Sequence, residues 1–125
     1  FAINITDIAG NKISIKKDRP DKKGQWANLI DKTKVPVKFG ADTIANNIAM
    51  LEAENFINGS DPINPNAVIE VDSAEFGHII FDCQRIVDGE RYMYVIKKRG
   101  DSFMYLIPED KMLPILFPKD LYKEE

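Results

Sequence analysis

The sequence predicts an α+β fold, and three observations carry that expectation. Gly10-Asn11 and Asp88-Gly89 each lie between segments that alternate apolar and polar residues, which is the pattern of an antiparallel hairpin. Residues 42–57 place Ile44, Ile48 and Leu51 on one stripe at helical spacing. A length of 125 residues, 44% hydrophobic and 30% charged, belongs to an ordinary globular domain rather than a disordered chain. The expected architecture is an N-terminal β-hairpin and one or two helices packed on a C-terminal antiparallel β-meander of three to four strands. A single domain covering 1–125 is expected.

The hairpin is expected over residues 2–17, because Ile3-Asn4-Ile5-Thr6 and Ile13-Ser14-Ile15-Lys16 both alternate around the glycine turn. The charged residues 16–24 read as an exposed loop. Trp26, Leu29 and Ile30 stand at i, i+3 and i+4, which predicts a short helix ended by Pro36. The main helix follows over 42–57, with Asp42 or Thr43 as its N-cap and Gly59 at its C-terminal end.

Residues 58–66 then connect to strands at Ala67–Val71, Ile79–Val87, Arg91–Lys98 and Ser102–Ile107. With Asp88-Gly89 as a two-residue turn, Val87 opposes Glu90, Arg85 opposes Tyr92, Cys83 opposes Tyr94 and Phe81 opposes Ile96. Phe103, Tyr105 and Ile107 continue that face, onto which the helix stripe should pack. The other face carries Ile80, Ile86, Met93, Val95, Met104 and Leu106, too apolar to stand freely in water. The N-terminal hairpin, the tail around Met112–Leu121 or a second molecule should cover it. Pro108, Pro114 and Pro118 prevent one long helix in the tail, which is expected to wrap over the sheet as part of the core.

The net charge of −3 hides a strong polarity: +5 over residues 1–40, −9 over 41–90 and +1 over 91–125. No apolar run approaches the roughly 18 residues of a membrane-spanning helix, so no membrane role is expected. The lone Cys83 cannot form an internal disulfide, which fits a reducing, cytoplasmic setting. The first residue is Phe1 rather than Met, as expected of a chain from which a leader, tag or upstream domain has been removed.

Chemistry-bearing residues are sparse. His78 lies near Asp72, Glu75 and Asp82, but one imidazole without a recognised ligand spacing does not make a metal site, and none is expected. His78 with Glu75 and Arg85 could instead serve general acid–base catalysis in a metal-independent ribonuclease of the toxin type. Helices followed by an antiparallel meander is also the layout of small microbial ribonucleases, an analogy of fold alone. Cys83 alternates onto the core face, where a thiol is inert. There is no Gly-x-Ser-x-Gly elbow, phosphate loop or dinucleotide fingerprint, and no cofactor is expected. Lys16, Lys17, Arg19, Lys22 and Lys23 form a basic segment that could contact RNA or DNA. Arg99-Gly100-Asp101-Ser102 spells the integrin-recognition tripeptide and its commonest extension on a hairpin turn.

The leading expectation is a small non-enzymatic binding or regulatory module that meets a protein partner or a second copy of itself. Met93, Val95, Met104 and Leu106 would form the centre of its interface, rimmed by Arg91 and Lys97. A composition rich in Ile, Asn and Lys suggests an accessory domain of a larger bacterial or phage protein.

Overall fold

Alternation along the strands decides which side chains leave water. The computed structural model describes residues 1–19, 24–49, 55–58, 65–74, 77–100, 103–118 and 121–124. In β1 (Ala2–Thr6) and β2 (Lys12–Lys17), Ile3, Ile5 and Ile15 project to one side and are almost wholly buried. The two strands close a hairpin over residues 7–11. There Gly10 has φ +86°, and Asp7 Oδ1 accepts the backbone N–H of Ala9 and of Asn11.

The remaining elements in chain order are β3 (Trp26–Asn28), β4 (Lys34–Pro36), α1 (Lys38–Ala49), β5 (Asn55–Asn58), β6 (Ala67–Ser73), β7 (Gly77–Asp88), β8 (Arg91–Lys98), β9 (Phe103–Pro108), α2 (Glu109–Leu116) and β10 (Tyr122–Glu124). Eight strands form one antiparallel sheet in the order β3-β2-β1-β6-β7-β8-β9-β5, while β4 and β10 pair separately. The join is β1 with β6, where Ile3 faces Val71 and Ile5 faces Ile69. The N-terminal hairpin is therefore part of the main sheet, not a separate unit set against a three- or four-stranded meander.

A single face of this sheet carries the main core. Ile3, Ile5, Ile15, Ala67, Ile69, Cys83, Tyr94, Ile96 and Ile107 meet Ala41 and Ile44 of α1 and Met112, Ile115 and Leu116 of α2. Full burial of each large aliphatic side chain contributes about 1.5–3 kcal/mol before entropy is counted. Pro114 lies inside α2 and forfeits one backbone N–H. The helix is only eight residues long, and burial of its three core side chains offsets that loss.

Three local expectations are corrected. Residues 26–30 form a strand and a turn rather than a helix. The buried Asn28 side chain accepts the N–H of Ile30 and of Asp31 and donates to the Lys34 carbonyl, which bends the chain. The main helix runs over Lys38–Ala49 instead of 42–57, and residues 55–58 are a strand. Its expected stop, Gly59, lies outside the described residues. The β7–β8 register is displaced by two residues, so that Val87 faces Tyr92 and Cys83 faces Ile96 around a turn at Gly89-Glu90. A two-residue shift leaves every side chain on its expected face, because the strand period is two.

Asp42 is not a cap. Its carboxylate accepts the Trp26 indole N–H at 2.8 Å, pairs with Lys38 at 2.8 Å and stands 3.5 Å from Lys17 Nζ, tying α1 to β2 and β3. Burial alone would push the Asp42 carboxyl up. The hydrogen bonds from Lys38 and Trp26, with the charges of Lys17 and Lys38, outweigh it and hold the group below its ordinary value of 3.8. The folded state thus binds this proton less tightly than the unfolded chain does. The stabilisation is complete above pH 3.8 and is lost as the pH falls through the folded-state value. Asp42→Ala is expected to cost about 1–2 kcal/mol near neutral pH, and less in acid, by urea denaturation. An equal cost at both pH values would show that the ion pairs contribute nothing.

Candidate functional site

The proposed acid–base residues come from one strand, and alternation separates them. His78 lies on the face of β7 away from the helices, Arg85 on the helix face, about 23 Å apart along the strand. Arg85 is also engaged: its Nε and Nη2 donate to the two Glu109 oxygens at 3.1 and 3.3 Å, and its guanidinium lies 3.7 Å over the Tyr92 ring. Glu75 lies outside the described residues. His78 meets a different carboxylate, with Nε2 3.2 Å from Glu70 Oε1 across β6 and β7. Arg99 stands within electrostatic reach of that Glu70, while its Nε and Nη2 donate to Asp82 at 2.9 Å. Among the described residues no group of three or more His, Cys, Asp or Glu side chains could hold a metal ion.

The expected interface residues do come together on the sheet face away from the helices. Val95 faces Leu106, Met104 faces Lys97, and Met93 faces Ile86. Met93, Val95 and Met104, however, are already buried within the chain, and Leu106 and Lys97 are half-buried. Of the six, only Arg91 is exposed. These three apolar side chains therefore need no partner to leave water.

Among the basic residues, Lys17 is taken up by Asp42 and lies over the Trp26 ring, whereas Lys16 and Arg19 are exposed. Lys22 and Lys23 fall outside the described residues, as do Asp101 of the Arg-Gly-Asp tripeptide and Ser102 after it. Cys83 is fully buried, and burial with the nearby Asp82 charge pushes its thiol up to about 12. It is a thiol at neutral pH and a poor nucleophile.

The surface feature that stands out lies at the corner formed by β1 to β4. Leu29 N–H donates to the Ser14 carbonyl at 2.9 Å, which sets the turn after β3 beside β2. In that turn Leu29 is 53% and Ile30 58% exposed, and Ile8 at the tip of the neighbouring hairpin is 40% exposed. The turn is firmly built: Asn28 holds its start, and Asp31 Oδ1 accepts both the N–H and the hydroxyl of Thr33. Two branched aliphatic side chains are thus presented to solvent on a backbone whose local donors are satisfied. The helical spacing of Trp26, Leu29 and Ile30 predicts one face of a short helix there. The Asn28-x-x-Asp31-x-Thr33 pattern was the signal for a turn. Comparison of the chain with known protein families, curated proteins and solved structures yields no match.

A second unusual group is internal. Tyr94 is fully buried, and its hydroxyl has no hydrogen-bond partner among the described residues. Burial, then the Glu109 charge, raises its pKa, with Arg85 acting in the opposite sense. An unpaired buried hydroxyl destabilises by about 1–3 kcal/mol. Tyr94→Phe is therefore expected to keep or raise stability, with a melting temperature unchanged or a few degrees higher. A clear fall in melting temperature would show that the hydroxyl is bonded in solution.

Proposed function

We propose that this chain is a small non-enzymatic binding module that engages a protein partner through the corner where Ile8, Leu29 and Ile30 stand in solvent. One observation carries the proposal: Leu29 and Ile30 are more than half exposed on a turn pinned by Asn28 and Asp31. Large aliphatic side chains held out on an ordered backbone lose little further entropy on binding, which favours a recognition surface over an accidental exposure. Phe39, at 81%, is more exposed still, but it stands on the first turn of α1 rather than beside other exposed apolar side chains of that corner. Membership in a larger bacterial or phage protein remains part of the proposal, on composition alone.

The test compares two variants. Leu29→Asp with Ile30→Asp should leave the melting temperature within a few degrees of the parent while abolishing co-purification and crosslinking of the native partner. Val95→Asp puts a charge on a side chain 8% exposed and should destabilise the fold by several kcal/mol. Undiminished partner recovery by the Leu29/Ile30 variant would refute the proposal.

A second reading, a metal-independent ribonuclease, draws support from the 3.2 Å approach of His78 and Glu70 near Arg99. It ranks second because an acid and a base so close together must separate to straddle a phosphorus, and His78 is half exposed. On this reading, His78→Ala should remove cleavage of single-stranded RNA. Cleavage that survives the substitution, or that never occurs, eliminates it.

A further inference from the structure

Resting on the corner proposed above, the charges around its apolar side chains point to the chemistry of the occupant. Lys12, Lys32 and Lys34 are exposed there, on the end of β2, in the turn and at the start of β4. Lys32 and Lys34 follow Ile30 by two and four residues, and Lys12 lies two residues along β2 from Ser14, whose carbonyl accepts the Leu29 N–H, so the three residues lie within roughly 15 Å of Leu29 and Ile30.

Of the two carboxylates of the same corner, Asp7 is turned inward and Asp31 stays at the surface. Asp7 is only 5% exposed, and its Oδ1 accepts two backbone N–H groups of its own hairpin. Asp31 is committed to Thr33 through both the N–H and the hydroxyl. The corner therefore offers solvent three ammonium groups against the one surface carboxylate of Asp31, an excess of positive charge around aliphatic side chains, although the chain as a whole carries −3.

We propose that the corner takes an acidic segment of a partner protein, with apolar anchors set against Leu29 and Ile30 and carboxylates against Lys12, Lys32 and Lys34. A second copy of this chain is disfavoured, because a two-fold contact through this surface would set its lysines against each other. A nucleic acid would use the lysines but leave the aliphatic side chains without stacking or apolar partners, since base platforms are aromatic. An acidic protein segment uses both.

The test is an amide-resolved NMR titration of the intact chain with three probes. These are a short peptide carrying two leucines flanked by glutamates, the same peptide with lysines in place of the glutamates, and a single-stranded oligouridylate. The glutamate peptide should shift amides of residues 7–13 and 28–34, and bind about tenfold more weakly when salt rises from about 0.05 M to about 0.5 M. The triple variant K12E/K32E/K34E should weaken it at least tenfold, and the lysine peptide should not bind. Equal shifts by both peptides would leave the corner as a protein-binding surface but overturn its preference for acidic partners. Shifts at the corner from the oligouridylate alone would overturn the protein assignment in favour of nucleic acid. No shift at the corner from any probe would overturn both this inference and the proposal on which it rests.

Discussion

The antiparallel pairing of β1 with β6 holds two otherwise incomplete halves together. An isolated two-stranded hairpin is at best marginally stable in water, and β6 without β1 would present an unpaired edge. Once joined, Ile3 and Ile5 meet Val71 and Ile69 across the seam, and one continuous face receives both helices. The corner that bears Leu29 and Ile30 depends on the same seam, since β2 and β3 reach the sheet only through β1. A change that weakens a buried isoleucine of the seam therefore affects the proposed binding surface without touching it.

Polar groups in the interior act locally. Asp7 and Asn28 are both buried, and each satisfies backbone donors of its own turn rather than a distant charge. Such groups fix where the chain reverses, which is why the exposed aliphatic residues beside them occupy defined positions. Arg85 acts over a longer range: its paired hydrogen bonds to Glu109 and its stacking on Tyr92 fasten the start of α2 to the β7–β8 hairpin. Commitment to that role takes Arg85 out of contention as a substrate-binding cation. Tyr94, nearby and unpaired, is the one part of this region in which polar satisfaction falls short among the described residues.

Local rules made much of the fold legible. The hairpin at Gly10, the limits of β8 at Arg91–Lys98 and the burial of Cys83 all follow from turn chemistry and alternation. The two-residue slip of β7 against β8 was not legible. Either register keeps Phe81, Cys83 and Arg85 on the same face, so the hydrophobic pattern does not distinguish them. The β1–β6 join was hidden for a different reason: alternation identifies a strand with a buried face but does not choose its neighbour. Trp26, Leu29 and Ile30 misled because three apolar residues at helical spacing also fit a buried strand residue followed by a turn. The separation of His78 from Arg85 was legible in the sequence, since the two differ by an odd number on one strand and face opposite ways.

The seam also bears on how the chain is made. Ile3 and Ile5 precede their partners Val71 and Ile69 by more than sixty residues. At synthesis rates of about 5–20 residues per second, the hairpin waits for several seconds with the outer edge of β1 unpaired before β6 has been translated. During that interval the nascent hairpin is a target for chaperones and for other unfinished copies on the same message. Crowded expression should therefore damage this protein through its earliest strands, long before the finished molecule has a surface to offer.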